Sequence, residues 1–314
     1  MSPVSMSPAS TAPASMSAFR ANLFCLLSMI AWAMGLPAAD LLIGLVPPLP
    51  LAAARLGVAA IMLVPFWLMV EGAPTLGRAP WWRGTLIGLV MLGLPGLLIV
   101  VAQARTDAVT VAVISATSPI IGITLETLFD GRRITPALVI GLGLTLAGGV
   151  FALSDTLGQV EFGLGALAAF GSVFFYTLGS RLTITSLPGM SPLGRSTITL
   201  AGAAGVMVML ALIGAGFGLP APQWPALGWT QGAALLVFGV IGLALTQLLW
   251  IAGVGPLGIG LASLHLNAAP FYVMIFTFLL GAEWSWTQTF GALIVGLGVL
   301  IAQSRPALYR PAAA

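Results

Sequence analysis

The chain consists almost entirely of long apolar stretches separated by short polar connections. Crossing the hydrocarbon core of a bilayer takes about 20 apolar residues per helix. Ten stretches meet that length: 20–43, 50–70, 84–103, 108–129, 136–154, 162–185, 192–214, 230–252, 256–280 and 286–303. Because backbone groups in lipid must bond to one another, only helices or a closed barrel can span it. Stretches this long and this continuously apolar predict an all-α integral membrane protein with ten transmembrane helices.

The end of the first half of the chain recurs near the C-terminus. The segment LFDGRRITPALVIGLGLTLAGGVFALS (128–154) aligns with FLLGAEWSWTQTFGALIVGLGVLIAQS (278–304). The matched glycines are Gly131, Gly141 and Gly148 in the first copy and Gly281, Gly291 and Gly298 in the second. Upstream, Arg55 aligns with Arg195, each near the start of the second apolar stretch of its block. The pattern therefore indicates a duplication of a five-helix block.

Five crossings are an odd number, so the second block must cross the membrane in the opposite direction to the first. We therefore predict two inverted-topology repeats, 19–155 and 156–305. The tail at 1–18, rich in Ser, Pro and Ala, is predicted to be disordered and the tail at 306–314 to be cytoplasmic.

Composition and charge place the protein in a membrane and orient it there. The chain is 59% hydrophobic and 6% charged, whereas soluble domains carry about 25% charged residues. The pI of 9.8 comes from 11 arginines spread among the connections, which indicates topology rather than nucleic-acid binding. With the N-terminus inside, Arg55 and Arg105 lie outside, and nine arginines lie inside: Arg20, Arg78, Arg83, Arg132, Arg133, Arg181, Arg195, Arg305 and Arg310. This bias favours an inner-membrane protein with both termini cytoplasmic.

Missing residue types argue against enzyme chemistry. The chain has no lysine, so it cannot form a P-loop of the G-x-x-x-x-G-K-[ST] type. Its one histidine and one cysteine argue against a zinc enzyme, which needs three or four ligands. Ser263 and His265 stand two residues apart, and on a helix they point to nearly opposite sides. We expect neither an enzyme nor a cofactor.

Three features together resemble the EamA type of the drug/metabolite transporter superfamily. They are the string PLPLAAARL, the mid-span prolines and the ending LLGAEWSWTQTFGALIVGLGVLIAQS, and the likeness covers about residues 20–305. Within that group the chain looks like the aromatic amino acid exporters of the YddG type. The resemblance implies ten helices, a central cavity and outward movement of amino acids. Family members often carry Gly-Glu near the last connection of both halves, whereas the first half here has Asp130-Gly131-Arg132-Arg133.

Two prolines mark the predicted level of the substrate site. Inverted-repeat transporters bind substrate near the midplane, where helices are broken by Gly or Pro. Pro119 and Pro270 each remove a backbone donor, so the carbonyls near Ser115 and Leu266 are candidates to bind a substrate ammonium. The alternative is a structural kink whose carbonyls are satisfied by neighbouring hydroxyls.

Polar and aromatic residues around these prolines complete the predicted site. Aromatic faces attract an ammonium and bury an apolar side chain. The predicted substrate-binding residues are Trp32, Ser115, Ser118, Pro119, Tyr176, Gln247, Trp250, His265, Asn267 and Pro270. Hydrogen bonds between packed helices are the alternative role for the polar ones. His265 is either a proton switch or a structural hydrogen-bonding group.

Charged and small residues outside this set have predicted structural roles. Asp40 and Arg55 are expected to pair at the periplasmic rim, with gating as the alternative. Glu126 is expected to be anchored near Arg132 and Arg133, with proton coupling as the alternative. Small residues on the fifth and tenth helices predict close packing inside the molecule, with a dimer interface left open: Gly141, Thr145, Gly148, Ala292 and Gly296.

The combined prediction is a secondary transporter that works by alternating access. Its substrate is a small amphipathic molecule, expected to be an amino acid with an aromatic or large neutral side chain that is exported across the inner membrane. Its other partner is the lipid bilayer, with no nucleic acid. A monomer is expected and a dimer is left open. The alternatives are an exporter of drugs or other apolar metabolites and, in a different class, a channel or an intramembrane enzyme.

Overall fold

The computed structural model describes residues 16–131, 134–152 and 160–303, and these contain ten long helices and no strand. The helices are α1 Ala18–Asp40, α2 Pro48–Glu71, α3 Trp81–Gln103, α4 Ala108–Asp130, α5 Pro136–Ala152, α6 Val160–Ser186, α7 Pro192–Gly216, α8 Trp229–Leu257, α9 Ile259–Leu279 and α10 Trp286–Gln303. Helices α1–α4 and α6–α9 are long and apolar enough to cross a membrane, and the apolar part of α5 is shorter. The predicted ten-helix, two-repeat fold is confirmed. Ten crossings bring the start of α1 and the end of α10 to one face, called here the terminal face, and the other face is called distal.

Two matching hydrogen bonds show how the two repeats are related. Ser28 of α1 donates its hydroxyl to the Thr246 carbonyl of α8 at 2.9 Å. Ser172 of α6 donates to the Pro95 carbonyl of α3, also at 2.9 Å. Each bond joins the first helix of one repeat to the third helix of the other. The two repeats therefore interlock through matching contacts, as expected for an inverted pair.

The same two helix pairs are in close contact where α3 and α8 are wound as π-helix. These segments are Leu89–Gly93 and Val237–Leu245. A Cβ added to Gly35 would lie 3.1 Å from the Cα of Gly242, and one added to Gly179 would lie 2.5 Å from the Cα of Met91. A side chain at Gly179 would therefore force α6 and α3 apart, and one at Gly35 would make the contact of α1 with α8 tighter than most side chains accept.

The terminal helices of the two repeats pack against each other through exchanged glycines. A Cβ on Gly148 of α5 would lie 2.8 Å from the Gly291 carbonyl oxygen of α10. A Cβ on Gly298 of α10 would lie 2.6 Å from the Gly141 carbonyl oxygen of α5. The predicted internal packing is confirmed, but the prediction chose Gly296, whose added Cβ would meet open space.

Both predicted proline breaks are present. Helix α4 is interrupted after Ser115 and resumes at Ser118, so Pro119 stands in its first new turn. Helix α9 winds into a 3₁₀ segment over Leu264–Ala268, and Pro270 stands in the first turn after it. At the first break the Thr117 hydroxyl donates to the Ile114 carbonyl at 2.7 Å. At the second, the Leu266 carbonyl accepts the N–H of Ala269. A neighbouring hydroxyl thus satisfies a carbonyl at the first break, as in the structural alternative stated above, whereas a backbone N–H does so at the second.

Candidate substrate site

A cavity lies between the two repeats at the level of the helix breaks. Seven helices line it: α1, α2, α3, α4, α6, α8 and α9. Its lining includes Ser115 and Leu266, which stand four residues before the two breaking prolines. The volume is about 60 Å³, room for a few water molecules. A bulky substrate therefore requires a wider conformation than this one.

Two aromatic rings face the cavity from equivalent positions. Trp32 stands four residues after Ser28 on α1, and Tyr176 stands four residues after Ser172 on α6. Since the two serines make the same bond in the two repeats, the two rings are repeat equivalents. Both line the cavity and both are half-buried. They provide an apolar, aromatic wall from each half of the molecule.

Trp250 supports this wall from behind, although it was predicted to bind substrate. Its ring is fully buried, does not line the cavity and lies with its centroid 5.9 Å from that of Tyr176. Its indole N–H donates to the Ser180 hydroxyl at 3.0 Å. Trp250 therefore fixes the position of Tyr176 instead of contacting the cavity.

An arginine lines the cavity from α2. Arg55 is 4% exposed and donates to the carbonyls of Phe238 at 3.3 Å and Gly242 at 2.9 Å. Its guanidinium carbon lies 4.0 Å from the centroid of the Phe238 ring. Both carbonyls belong to the π-helical part of α8, where the changed winding alters the usual backbone pairing.

The predicted ion pair between Arg55 and Asp40 is therefore wrong. Asp40, at the end of α1, accepts a bond of 2.6 Å from the Gln103 side chain, which also donates to the Leu36 carbonyl at 2.7 Å. Arg55 is the eighth residue of α2, so it lies about 10 Å along the helix from its first residue. The arginine is too deep in the molecule to form a pair at the rim.

A buried amide lies beside the arginine in the cavity wall. Gln247 of α8 is fully buried, and its Nε2 lies 3.3 Å from the Met91 sulfur. Its Oε1 has no hydrogen-bond partner among the described residues. Thr246, the preceding residue, bonds through its hydroxyl to the Ile241 carbonyl at 3.1 Å. The Gln247 oxygen is thus an unused acceptor in the wall of the cavity.

These polar residues have equivalents of different chemistry in the other half. The carbonyls of Pro95 and Thr246 accept the two equivalent serine hydrogen bonds. Gly96 and Gln247 are the residues that follow them, so Gln247 corresponds to a glycine. The equivalent of Arg55 follows from two glycines that contact α2 and α7. A Cβ on Gly239 would lie 3.1 Å from the Arg55 carbonyl oxygen, and one on Gly88 would lie 1.9 Å from that of Thr199.

Met91 and Gly242 are equivalent because they meet the equivalent glycines of α6 and α1. Gly88 stands three residues before Met91, and Gly239 stands three residues before Gly242, so these two glycines are equivalent as well. Arg55 therefore corresponds to Thr199, and the predicted match with Arg195 is wrong. Arg195 lies a turn earlier on α7, outside the cavity lining, and donates to the Leu187 carbonyl at 2.9 Å.

The structure brings together four of the ten predicted residues in the cavity wall: Trp32, Ser115, Tyr176 and Gln247. The others lie off the wall. The Ser118 hydroxyl bonds to that of Thr177 at 2.8 Å, and His265 Nδ1 lies 3.0 Å from the Ala262 carbonyl oxygen. The Asn267 amide donates to the Leu264 carbonyl at 3.0 Å. Pro119 and Pro270 shape the two helix breaks. Arg55, Thr246 and Met91 line the cavity and were missed as site residues.

Three acidic residues link the two repeats at the terminal face. Glu126 of α4 accepts the Gly260 N–H of α9 at 2.8 Å, Asp130 of α4 pairs with Arg181 of α6 at 2.6 Å, and Glu71 of α2 bonds to Ser191 before α7. The distal equivalent of Glu126 is Thr277, because each stands seven residues after the breaking proline of its helix. The Thr277 hydroxyl bonds within its own helix. The predicted anchoring by Arg132 and Arg133 lies outside the described residues.

Comparisons with known proteins agree with this architecture. The sequence profile of the EamA-like transporter family matches residues 19–154 and again residues 163–303. A Bacillus subtilis (strain 168) protein described as "Uncharacterized transporter YyaM" is 24% identical over 275 residues, which are 83% of this chain and 86% of that protein. A solved structure described as "Crystal structure of protein" superposes with a TM-score of 0.69 at 20% identity, over 92% of this chain and 98% of the other. The chain, a ten-helix membrane protein with two profile matches that cover both repeats, belongs to the EamA-like transporter family.

Proposed function

We propose that the protein exports amino acids with aromatic or large neutral side chains across the inner membrane, with both termini in the cytoplasm. The observation that carries the proposal is the pair Trp32 and Tyr176, which lines a central cavity from equivalent positions of two inverted repeats. Aromatic faces bury an apolar or aromatic side chain and also attract an ammonium group. The resemblance to aromatic amino acid exporters implies the same substrate class.

Transport proceeds by rocking of the two repeats about the cavity. Opening of the terminal face separates Glu126 from Gly260 and Asp130 from Arg181, contacts that join the repeats there. Opening of the distal face separates Gln223 from the Leu45 carbonyl, a contact of 2.8 Å between connections. The interrupted helices α4 and α9 absorb the bending, because each already lacks regular backbone pairing near its proline.

Proteoliposomes loaded with a panel of labelled amino acids test the substrate class. We expect saturable efflux of aromatic and large neutral amino acids, accelerated by the same amino acid on the other side, as alternating access requires. Replacement of Trp229, which is 88% exposed, by alanine serves as the control for aromatic substitution away from the cavity. Absence of flux for every aromatic and large neutral amino acid would reject the substrate class. Non-saturable flux without exchange would identify a channel.

Cysteine labelling tests the proposed orientation. Cys25 is the one cysteine of the sequence and is buried. Labelling of a variant with an added surface cysteine therefore reports the position of that cysteine. Trp224 lies between α7 and α8 and is 68% exposed. We expect Trp224→Cys to react with an impermeant reagent from the periplasmic side. Labelling only after the inner membrane is permeabilised would invert the orientation.

A further inference from the structure

We propose that Arg55 binds the carboxylate of the substrate and that Gln247 Oε1 accepts a hydrogen bond from its ammonium, so that the recognised group is the free α-amino acid head. The inference rests on the proposed function and adds which chemical groups of the substrate the cavity selects.

The charge of Arg55 has no carboxylate partner among the described residues. Its two hydrogen bonds both go to carbonyl oxygens. The described acidic side chains of the core have other partners: Gln103 for Asp40, the α4 backbone for Asp107, and Gly260 for Glu126. A buried charge is costly unless an opposite charge accompanies it. An anionic group of a substrate in the cavity supplies that charge.

The guanidinium of Arg55 also retains the donors that a carboxylate needs. An arginine carries five N–H donors, and the two bonds to Phe238 and Gly242 use one on Nε and one on Nη2. Both donors on Nη1 and the second on Nη2 remain. The Phe238 ring covers one face of the group at 4.0 Å, so the approach that is left lies along the edge. A carboxylate binds an arginine edge with two parallel hydrogen bonds.

Gln247 lines the same cavity as Arg55 and is the candidate for the other end of the head group. It lies five residues after Gly242, the residue that Arg55 bonds, which is about 7 Å along the helix axis. Both residues line the cavity. The two groups therefore face one cavity from positions about one helical turn apart, as the two ends of one head group require. Because Gln247 is fully buried and its Oε1 is unpartnered, an ammonium N–H satisfies an acceptor that the protein leaves unused.

The asymmetry of the wall gives the substrate one orientation. The residues equivalent to Arg55 and Gln247 are Thr199 and Gly96, which carry neither a charge nor an amide side chain. The head group is therefore held on the α2 and α8 side. The side chain extends from there towards the aromatic rings of Trp32 and Tyr176.

A ligand series with a constant side chain tests the carboxylate contact. Phenylalanine, phenylalanine amide and 3-phenylpropionate compete against a labelled substrate in proteoliposomes. In the wild type we expect the amide to compete at least ten-fold more weakly than phenylalanine, whereas 3-phenylpropionate retains measurable competition. In Arg55→Gln we expect phenylalanine to weaken to the level of the amide, with the amide unchanged. Arg55→Lys should restore part of the preference for the acid.

A purely structural role of Arg55 gives a different result. If the arginine only supports the carbonyls of α8, its loss weakens phenylalanine and the amide by the same factor, and the inference is wrong. Equal competition by both ligands in the wild type also overturns it and needs no variant. Arg195→Gln is the matched control, because Arg195 likewise bonds a backbone carbonyl but does not line the cavity. Its ligand preference should equal that of the wild type.

The ammonium contact is tested by the same series in a second variant. Gln247→Leu should weaken phenylalanine about ten-fold and leave 3-phenylpropionate, which has no ammonium, unchanged. Equal weakening of both ligands would remove Gln247 from the head-group site. If the wild type binds 3-phenylpropionate through Arg55 but exports no amino acid, the carboxylate site stands and the proposed substrate class fails, so the two failures are distinguishable.

Discussion

The two halves of the cavity wall share a backbone arrangement but differ in chemistry. Ser28 and Ser172 make the same bond to the opposite repeat, and the next turn of each helix presents an aromatic ring. The opposite wall differs, because Gln247 on α8 replaces Gly96 on α3 and Arg55 on α2 replaces Thr199 on α7. Helix packing thus keeps the repeat symmetry, whereas the groups available for recognition come from one side.

Equivalent glycines, one in each repeat, test whether α3 packs as tightly on α7 as α8 packs on α2, and the largest effects are expected here. We expect Gly88→Ala to destabilise the protein by about 3 kcal/mol or more, because its Cβ would lie 1.9 Å from the Thr199 carbonyl oxygen. Gly239→Ala should cost about 1 kcal/mol, since its nearest contact is a side-chain methyl at 3.0 Å. Thermal unfolding in detergent measures both, and equal losses would mean that the two contacts are equally tight.

Two glycines of α10 differ in whether they contact α5, so their substitution tests the effect of that contact. Gly298→Ala should cost about 2 kcal/mol, because its Cβ would lie 2.6 Å from the Gly141 carbonyl oxygen of α5. Gly296→Ala faces open space and should stabilise the helix by about 0.5–1 kcal/mol. The same thermal measurement compares the two variants. Destabilisation by Gly296→Ala would place a contact where the structure has none.

The aromatic pair tests whether the two halves contribute equally to side-chain binding. We expect Trp32→Ala and Tyr176→Ala each to weaken competition by phenylalanine about ten-fold, or about 1.4 kcal/mol. Tyr176→Phe keeps the ring and should stay within about two-fold of the wild type. Competition in proteoliposomes measures all three. Loss in only one of the alanine variants would show that the side chain lies against one half alone.

The acidic contacts of the terminal face have the smallest expected effect. Asp130→Asn removes the ion pair with Arg181. The Asp130 side chain is 29% exposed and the Arg181 side chain 16%. Such a pair contributes about 0.5 kcal/mol, so we expect about a two-fold shift towards conformations open at the terminal face. The labelling rate of a cysteine introduced at Ser115, in the cavity wall, reports the shift. A slower rate from the terminal face would contradict the assignment of this contact as a closing one.

The number of helices, the duplication and the two breaks could be read from the sequence, because each depends on local composition. Long apolar runs force helices in lipid, and Pro119 and Pro270 stand in the first turn after each of the two breaks. Trp32 and Tyr176, both predicted as substrate-binding residues, line the cavity. These features need only the order of residues along a regular helix.

The helix faces were harder to predict because the winding is irregular where the cavity lies. Gln247 and Trp250 are three residues apart and share a face on a regular α-helix, yet the first lines the cavity and the second lies behind Tyr176. Both lie in the regular α-helix after a π-helical segment, which turns them together relative to the start of α8. Three residues on a helix of 3.6 residues per turn are still about 60° apart, which is enough to place one on the wall and the other behind it. His265 and Asn267 stand in a 3₁₀ segment, which shifts the face in the other direction. Local winding of this kind has no signature in hydropathy.

The position of Arg55 could have been inferred from depth alone. An ionisable residue well inside a membrane helix normally faces the interior of the bundle, and Arg55 is the eighth residue of a helix that begins at Pro48. The sequence prediction placed Arg55 in an ion pair with Asp40 instead. Its actual partners are backbone carbonyls of α8, which a sequence does not display.

The exchanged glycine contact between α5 and α10 has a consequence for biosynthesis. Helix α5 completes the first half of the chain, and its strip around Gly141 and Gly148 packs against α10, which the second half supplies. As the ribosome emits the chain from its N-terminus, this strip remains against lipid until the final eighteen-residue helix has been inserted. A helix of the second half therefore completes the packing of the first half, and a nascent chain that stops short of α10 leaves both halves unfinished.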